Sequence, residues 1–545
     1  MRIVRNAMLT GIAACCAASP ALAQDTYGSD GAPQGDRPPA VTVGPYIEVS
    51  QVLSAELSPG NDVVTFTQIA AGVDVNAQGR NSGASVSVRY ERNIGYGDAV
   101  DTDTISGIAR AYTAIIPQTL NFEAGALASR TRVDGGGAVS PNPLVSRDAT
   151  SQTYAFYAGP TLSTQVGAVG LTANAQVGYN RFETNDAVID ANGDPVDIFD
   201  DSVTYSGQIR AATRAGDPLP IGLAVTAGGY QEDISNLDQR VRDVYVRGDV
   251  TIPVSMTLAI VGGVGYENVE VSGRDAVRDV NGDPVIGEDG RFVTDRGSPR
   301  VIAFDVDGFL WDVGVLWRPS SRTSLQARVG ERYGSTTYYG NFTYVPDARS
   351  ALSISVYDSV GGFGGSLTNR LAGLSSDFTA TRNPVTGDFG GLLSGEDGGA
   401  LVNALGSVRS AAFRGRGVNA TYQQQIGRWN AALGAGYDRR TFIGAPGTAL
   451  EAVDGVRDES YYLTGALGRQ IGRNASFQTN AYINWFEPGN SDGDLTAFGA
   501  SAAYSRVIAS RLSARAALAV DYFDSDFSAE DFATATALLG LRYDF

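Results

Sequence analysis

The 545-residue chain has no histidine. It also has no lysine, so all 41 basic residues are arginine. Without histidine, neither a Ser-His-Asp triad nor a histidine-ligated metal site can be assembled. Without lysine there is no Schiff-base chemistry. The two cysteines, Cys15 and Cys16, both lie in the first 23 residues, which leaves the remainder without thiol or disulfide chemistry. No run of 18 or more apolar residues follows, as a spanning helix would need. Mean hydropathy is only −0.09. The net charge of −18 argues against nucleic acid as a partner.

The N-terminus carries the features of a secretory signal. Arg2 and Arg5 precede the apolar stretch Ala7–Ala18, and Ala21-Leu22-Ala23 offers a small-x-small cleavage site before Gln24. Ile12-Ala13-Ala14-Cys15 also resembles a lipobox, but it leaves a core shorter than usual, so residues 1–23 are expected to be a cleaved signal peptide. Residues 24–44, with Pro33, Pro38 and Pro39, read as a flexible lead too short to be a folded plug.

The C-terminus sets the pattern for the rest. In twos back from Phe545 come Tyr543, Leu541, Leu539, Ala537 and Ala535. Asp544, Arg542, Gly540 and Thr536 fill the other phase, with Leu538 its one large apolar member. A period of two over a dozen residues is a strand with one apolar face. Ending on an aromatic, it looks like the terminal insertion signal of outer-membrane barrels, here Leu539, Leu541, Tyr543 and Phe545.

The same alternation recurs along residues 45–545 and marks about 22 strands. Val169, Leu171, Ala173, Ala175, Val177 and Tyr179 oppose Thr172, Asn174, Gln176 and Asn180. Phe309, Trp311, Val313, Val315 and Trp317 form another apolar row. Tight connections such as Ile426-Gly-Arg428 and Ile508-Ala-Ser-Arg511 alternate with long ones at 133–150, 184–201, 272–304, 361–411 and 443–458. Short turns on one side and long loops on the other predict an all-β, up-and-down transmembrane barrel with both termini in the periplasm of a Gram-negative bacterium. A β-solenoid would show a fixed repeat, and a sandwich would not place Ala and Gly so often on the apolar face.

This phasing places Arg89, Glu91, Arg110, Glu123, Arg210, Arg247, Asp249, Asp312, Arg328, Arg515 and Asp521 in the lumen as pore-lining residues. On the lipid face at the midplane, Arg or Lys would cost about 2–4 kcal/mol. Paired carboxylates can serve glycosidases, but barrel lumens carry acids in any case, and no enzymatic role is expected. Trp317, Trp429 and Trp485, near strand ends, are read as interface aromatics. Segment 361–411, opening with Gly361-Gly-Phe-Gly-Gly365, is the candidate inner constriction, with a short helix expected over Gly399–Phe413.

Two loops repeat one motif, Asp190-Ala-Asn192-Gly-Asp194-Pro and Asp279-Val-Asn281-Gly-Asp283-Pro. Oxygen ligands at positions 1, 3 and 5 open a Ca²⁺ loop, and Asn-Gly and Asp-Pro equally build an ion-free turn. No other cofactor is implied. Expected partners are outer-membrane lipid, lipopolysaccharide and the barrel-assembly machinery.

Val43-Gly-Pro-Tyr-Ile-Glu-Val-Ser-Gln-Val-Leu53, Gly72-Val-Asp74 and Val88-Arg-Tyr-Glu-Arg92 resemble the opening of a family of outer-membrane β-barrel porins found with exopolysaccharide and exosortase (PEP-CTERM-type) systems. Ser324–Tyr338 and Leu352–Tyr357 resemble its central strands. The resemblance implies a barrel tied to surface-polysaccharide production or export, acting as a channel or assembly partner, with polysaccharide-export components among its expected partners. These motifs are framework, so no functional residue is carried over. A general diffusion porin and a non-conducting adhesive barrel remain the alternatives.

Overall fold

The computed structural model describes residues 40–97, 101–133, 139–140, 150–184, 196–374, 379–387, 389–394, 407–489, 493–526 and 531–545. The expected signal peptide, the expected lead up to Pro39 and the motif at Asp190, Asn192 and Asp194 lie outside the described residues.

Twenty-two antiparallel strands form the wall. In order they are β1 Ala40–Ser58, β2 Val63–Gln78, β3 Ser82–Tyr96, β4 Thr102–Ile116, β5 Leu120–Val133, β6 Thr150–Val166, β7 Val169–Thr184 and β8 Asp201–Thr213. β9 Gly222–Ile234, β10 Gln239–Pro253, β11 Leu258–Gly273, β12 Val301–Ser320, β13 Thr323–Arg332, β14 Ser335–Asp347 and β15 Ser350–Gly361 follow. β16 Phe413–Ile426, β17 Trp429–Phe442, β18 Arg457–Ile471, β19 Ala475–Glu487, β20 Leu495–Ala509, β21 Leu512–Ser525 and β22 Phe532–Asp544 complete it. Each pairs with its neighbours in sequence, and β1 pairs with β22 from Tyr46↔Asp544 to Ser58↔Ala533. That last ladder closes the cylinder and leaves no open edge, a condition for crossing lipid. Ala40–Gly44, expected in the flexible lead, belong to β1, because Val41 and Val43 extend its outward phase and pair on to Ala77 and Val75.

The apolar phase faces outward. Phe309 is 79 %, Leu518 65 % and Leu539 69 % exposed, which an aqueous surface would not tolerate over a continuous belt. Trp429 and its cross-strand partner Arg469 mark one rim, with the guanidinium 4.7 Å from the ring centre. Tyr437, Tyr461 and Trp485 stack side by side at the other, at 5.0 and 5.7 Å. Tyr461 through Arg469 is nine residues of β18, the length a tilted strand needs to cross a bilayer. Trp317 also lies outward toward the first rim.

All the long connections leave from one end, and both β1 and β22 reach the other, where turns such as Gly427-Arg428 and Ser510-Arg511 are tight. Above the wall the long loops pack on one another. Phe292, Phe442 and Leu450 share a cluster with Phe413, and Arg291 donates to the carbonyls of Phe182, Ile198 and Phe199.

The long connection after β15 turns inward. It begins with the helix α1, Phe363–Ala372. The short helix expected over Gly399–Phe413 is not found where that range is described: Arg409 makes an isolated bridge to Ile198, and Phe413 already belongs to β16. The helix forms upstream because Phe363, Leu367 and Leu371 recur on one face and fit an apolar strip of the inner wall.

Candidate functional site: the lumen and its infolded segment

The inner wall has two textures. On β4 to β9 it carries Ile108, Leu127, Ala155, Tyr157, Phe182 and Ile234, which meet the apolar face of α1. Burial at these positions makes the lumen here a dry core. The helix is pinned at three points. Glu232, on β9, accepts the N–H groups of Gly362 at 2.7 Å and Gly365 at 2.9 Å. It thereby satisfies the helix start that Gly362 cannot cap itself. Asn180 exchanges hydrogen bonds with Thr368 at 2.8 and 3.1 Å, and Arg370 reaches the Tyr357 hydroxyl at 3.0 Å. A Cβ on Gly364 or Gly365 would overlap Ser202 or Tyr230, so the glycine run serves close approach.

Farther along, Arg382 to Gly387 form a turn held against the wall on both sides. The Arg382 guanidinium donates to Ser106 Oγ at 2.7 Å and to Ser87 O and Oγ at 3.1 Å. Its carbonyl accepts from Gln478 Nε2 at 3.3 Å. The turn thus bridges β19 and β3, which are separated along the wall by β20, β21, β22, β1 and β2. At its tip Val385 is buried among Val52, Ala503, Ala517, Ala519 and Leu538. This accounts for Leu538, the apolar exception in the polar phase of the last strand.

The eleven residues expected in the lumen all occupy the inward phase, and most fall into small networks. Arg89 bonds Glu91 at 3.2 Å and Glu48 at 2.9 Å. Arg110 bonds Glu123 at 3.0 Å. Arg247 and Arg328 each contact both Asp249 and Asp312 at 2.7–3.0 Å, with Arg210 at 3.5 Å from Asp249. Arg515 reaches Glu48 at 3.2 Å, and Asp521 accepts from the Tyr482 hydroxyl at 2.9 Å. Residues that alternation did not single out include Glu48, Glu232 and Arg382. Glu48 and Glu232 share the inward phase and were legible by that criterion, whereas Arg382 sits in a loop where phase has no meaning.

The calcium expectation fares differently. At Asp279, Asn281 and Asp283 the Asp279 carboxylate accepts the backbone N–H of Asn281 at 2.8 Å and of Asp283 at 2.9 Å. This is turn chemistry, and among the described residues no group of three acids, histidines or cysteines is placed to hold a metal.

Beneath the infolded turn lies a chamber of about 1000 Å³ that opens toward the short-turn end. Arg382, Asn383, Pro384 and Gly387 form its roof. One side bears Gln423, Gln425, Asn430, Gln470 and Gln478. The other bears Arg89, Arg515 and Arg542 with Glu48 and Asp74.

A closed, lipid-belted cylinder with a polar inner chamber is an outer-membrane β-barrel. No family model matches the chain, and no curated protein does. Solved structures with a similar arrangement include the FrpB iron transporter from Neisseria meningitidis, at 11% identity over 92% of this chain and 81% of that one, with a TM-score of 0.43. The ferric-catecholate import receptor Fiu from E. coli is similar at 11% identity over 93% and 82%, with a TM-score of 0.45. The siderophore receptor PiuA from Acinetobacter baumannii is similar at 9% identity over 92% and 82%, with a TM-score of 0.42.

Proposed function

We propose that the protein is an outer-membrane conduit for hydrated, hydroxyl-rich solutes, serving surface-polysaccharide production or export, with the infolded segment as its gate. The observation that carries this reading is the amide-lined chamber directly beneath the Arg382–Gly387 turn. Glutamine and asparagine side chains each offer donors and an acceptor, which suits sugar hydroxyls better than an apolar or metal-bound cargo. The short-turn end, with both termini, faces the periplasm, and the long loops face outward. Lipopolysaccharide surrounds the outer rim, and polysaccharide-export components would meet the chamber mouth.

Planar-bilayer recording tests the gate. The full chain is expected to conduct poorly, and removal of residues 379–394 to raise conductance several-fold. Unchanged conductance in the deletion variant would sink the gating role. Deleting the gene tests the assignment: loss of surface polysaccharide is expected, and an unaltered surface layer with free uptake of small solutes would favour a general porin instead.

A further inference from the structure

Charge is distributed unevenly in this molecule. The whole chain is acidic, at −18, and elsewhere in the lumen arginines are nearly matched by carboxylates. Arg247, Arg328 and Arg210 share Asp249 and Asp312, while Arg332 faces Asp243 and Glu267 and Arg440 faces Asp438. The chamber departs from this balance. Seven arginines line it against the three carboxylates Glu48, Asp74 and Asp347. Arg469 stacks on the outward Trp429 ring and Arg542 is paired with Asp544 at 2.8 Å, and without those two the arginines still outnumber the carboxylates five to three.

The carboxylates are also committed. Glu48 is 2 % exposed and already bonds both Arg89 and Arg515. Asp347 accepts the Arg349 N–H at 2.7 Å and the Ser350 hydroxyl at 3.0 Å in its own turn. At the mouth, Arg349 and Arg428 sit in the tight turns after β14 and β16, exposed, and their guanidinium groups make no hydrogen bond or ion pair among the described residues. A recess walled by a low-dielectric barrel focuses such a field onto whatever enters.

We propose that the chamber is a binding site for an anionic saccharide, one that carries carboxylates among its hydroxyls. This deepens the conduit reading and rests on it. Arg349 and Arg428 meet the saccharide at the mouth, and Arg515 engages a carboxylate farther in, where guanidinium and carboxylate geometries match. The facing glutamines take the hydroxyls. Neutral sugars lack the first interaction and small inorganic anions lack the second.

Isothermal titration of the purified full chain in detergent tests this with trigalacturonate, maltotriose and inorganic phosphate as probes. Trigalacturonate is expected to bind at least tenfold tighter than maltotriose at low ionic strength, and to weaken as salt rises. R349Q/R428Q, whose side chains support nothing in the fold, is expected to lower trigalacturonate affinity several-fold and leave maltotriose unchanged. R515Q, checked for folding by heat-modifiable migration, should add to the loss. Equal affinity for both sugars overturns the anionic preference while the conductance test still decides the conduit. Full displacement of trigalacturonate by equimolar phosphate reduces the site to a general anion trap and overturns the saccharide assignment. Binding of neither sugar overturns the site outright.

Discussion

Glu232 caps the helix that it does not belong to: its Oε1 lies 2.9 Å from the Gly365 nitrogen, and its Oε2 lies 2.7 Å from that of Gly362. The carboxylate is fully buried and also takes the Tyr230 and Ser202 hydroxyls at 2.7 and 3.0 Å. One wall residue therefore fixes where α1 starts and how it lies in the lumen. Glu232→Ala is expected to weaken docking by about 2 kcal/mol, the scale of hydrogen bonds to a charged group. Hydrogen exchange of the 363–372 amides should accelerate on the order of 30-fold. Protection equal to wild type would show that the apolar face alone holds the helix.

Gly365→Ala approaches the same latch from the other side. Its Cβ would overlap the Tyr230 hydroxyl and crowd Glu232, so α1 must move off the wall although alanine favours helix. Single-channel recording is expected to show longer openings than wild type. A variant with unaltered openings would mean that α1 does not limit passage.

Leu538 and Leu539 are neighbours with opposite surroundings, the first 1 % exposed against Val385 and the second 69 % exposed to lipid. Leu538→Asn is expected to insert normally and to loosen the Arg382–Gly387 turn, raising conductance. Leu518→Arg, on the lipid face at 65 % exposure, should cost about 2–4 kcal/mol if it lies near the midplane and reduce the heat-modifiable fraction. Reversed outcomes would mean that the faces are assigned the wrong way round.

Period two made the wall legible because lipid and lumen impose opposite requirements on successive residues. Strand ends were less so. β12 was expected over 305–318 and runs Val301–Ser320, because beyond the bilayer the sheet continues without a lipid face to enforce alternation. The inner helix was missed for another reason. Gly361-Gly-Phe-Gly-Gly365 has poor helix propensity, and only the proximity of Ser202 and Tyr230 explains why those positions are small. Leu538 was visible as an anomaly, but its partner Val385 lies 153 residues away in a loop.

Asp312 sits at the centre of a four-residue lattice, 2.7 Å from Arg247, 2.9 Å from Arg328 and 3.1 Å from the Tyr339 hydroxyl. Asp312→Asn leaves two part-buried guanidinium groups to share Asp249 with Arg210, and a loss of about 2 kcal/mol is expected, below that of a fully buried broken pair. The denaturant midpoint for loss of the folded, fast-migrating band should fall accordingly. Adding Arg328→Leu should recover part of that loss. Failure to recover would mean that packing by Arg328, rather than charge balance, stabilises this sector.

Asp197 joins three loops at the long-loop end: it accepts from Ser410 Oγ, from the Phe292 N–H at 3.2 Å and from Asn236 Nδ2 at 3.2 Å. Burial pushes its carboxyl up to about 6, against the opposing pull of those donors and of Arg291. The folded loops therefore hold a proton that the unfolded loops release near pH 4. Where the native state binds more protons, stability falls as pH rises, so the loop assembly should be firmest below about pH 4 as far as Asp197 is concerned and loosen between about 4 and 6. Hydrogen exchange at the Phe292 and Ser410 amides, compared at pH 5 and pH 8 after correction for intrinsic rates, is expected to show less protection at pH 8. Asp197→Asn keeps the shape without the titration and should flatten that difference. A pH effect of equal size in the variant would assign the titration to another group, and the acids closest at hand are Asp200 and Asp289, both facing Arg291.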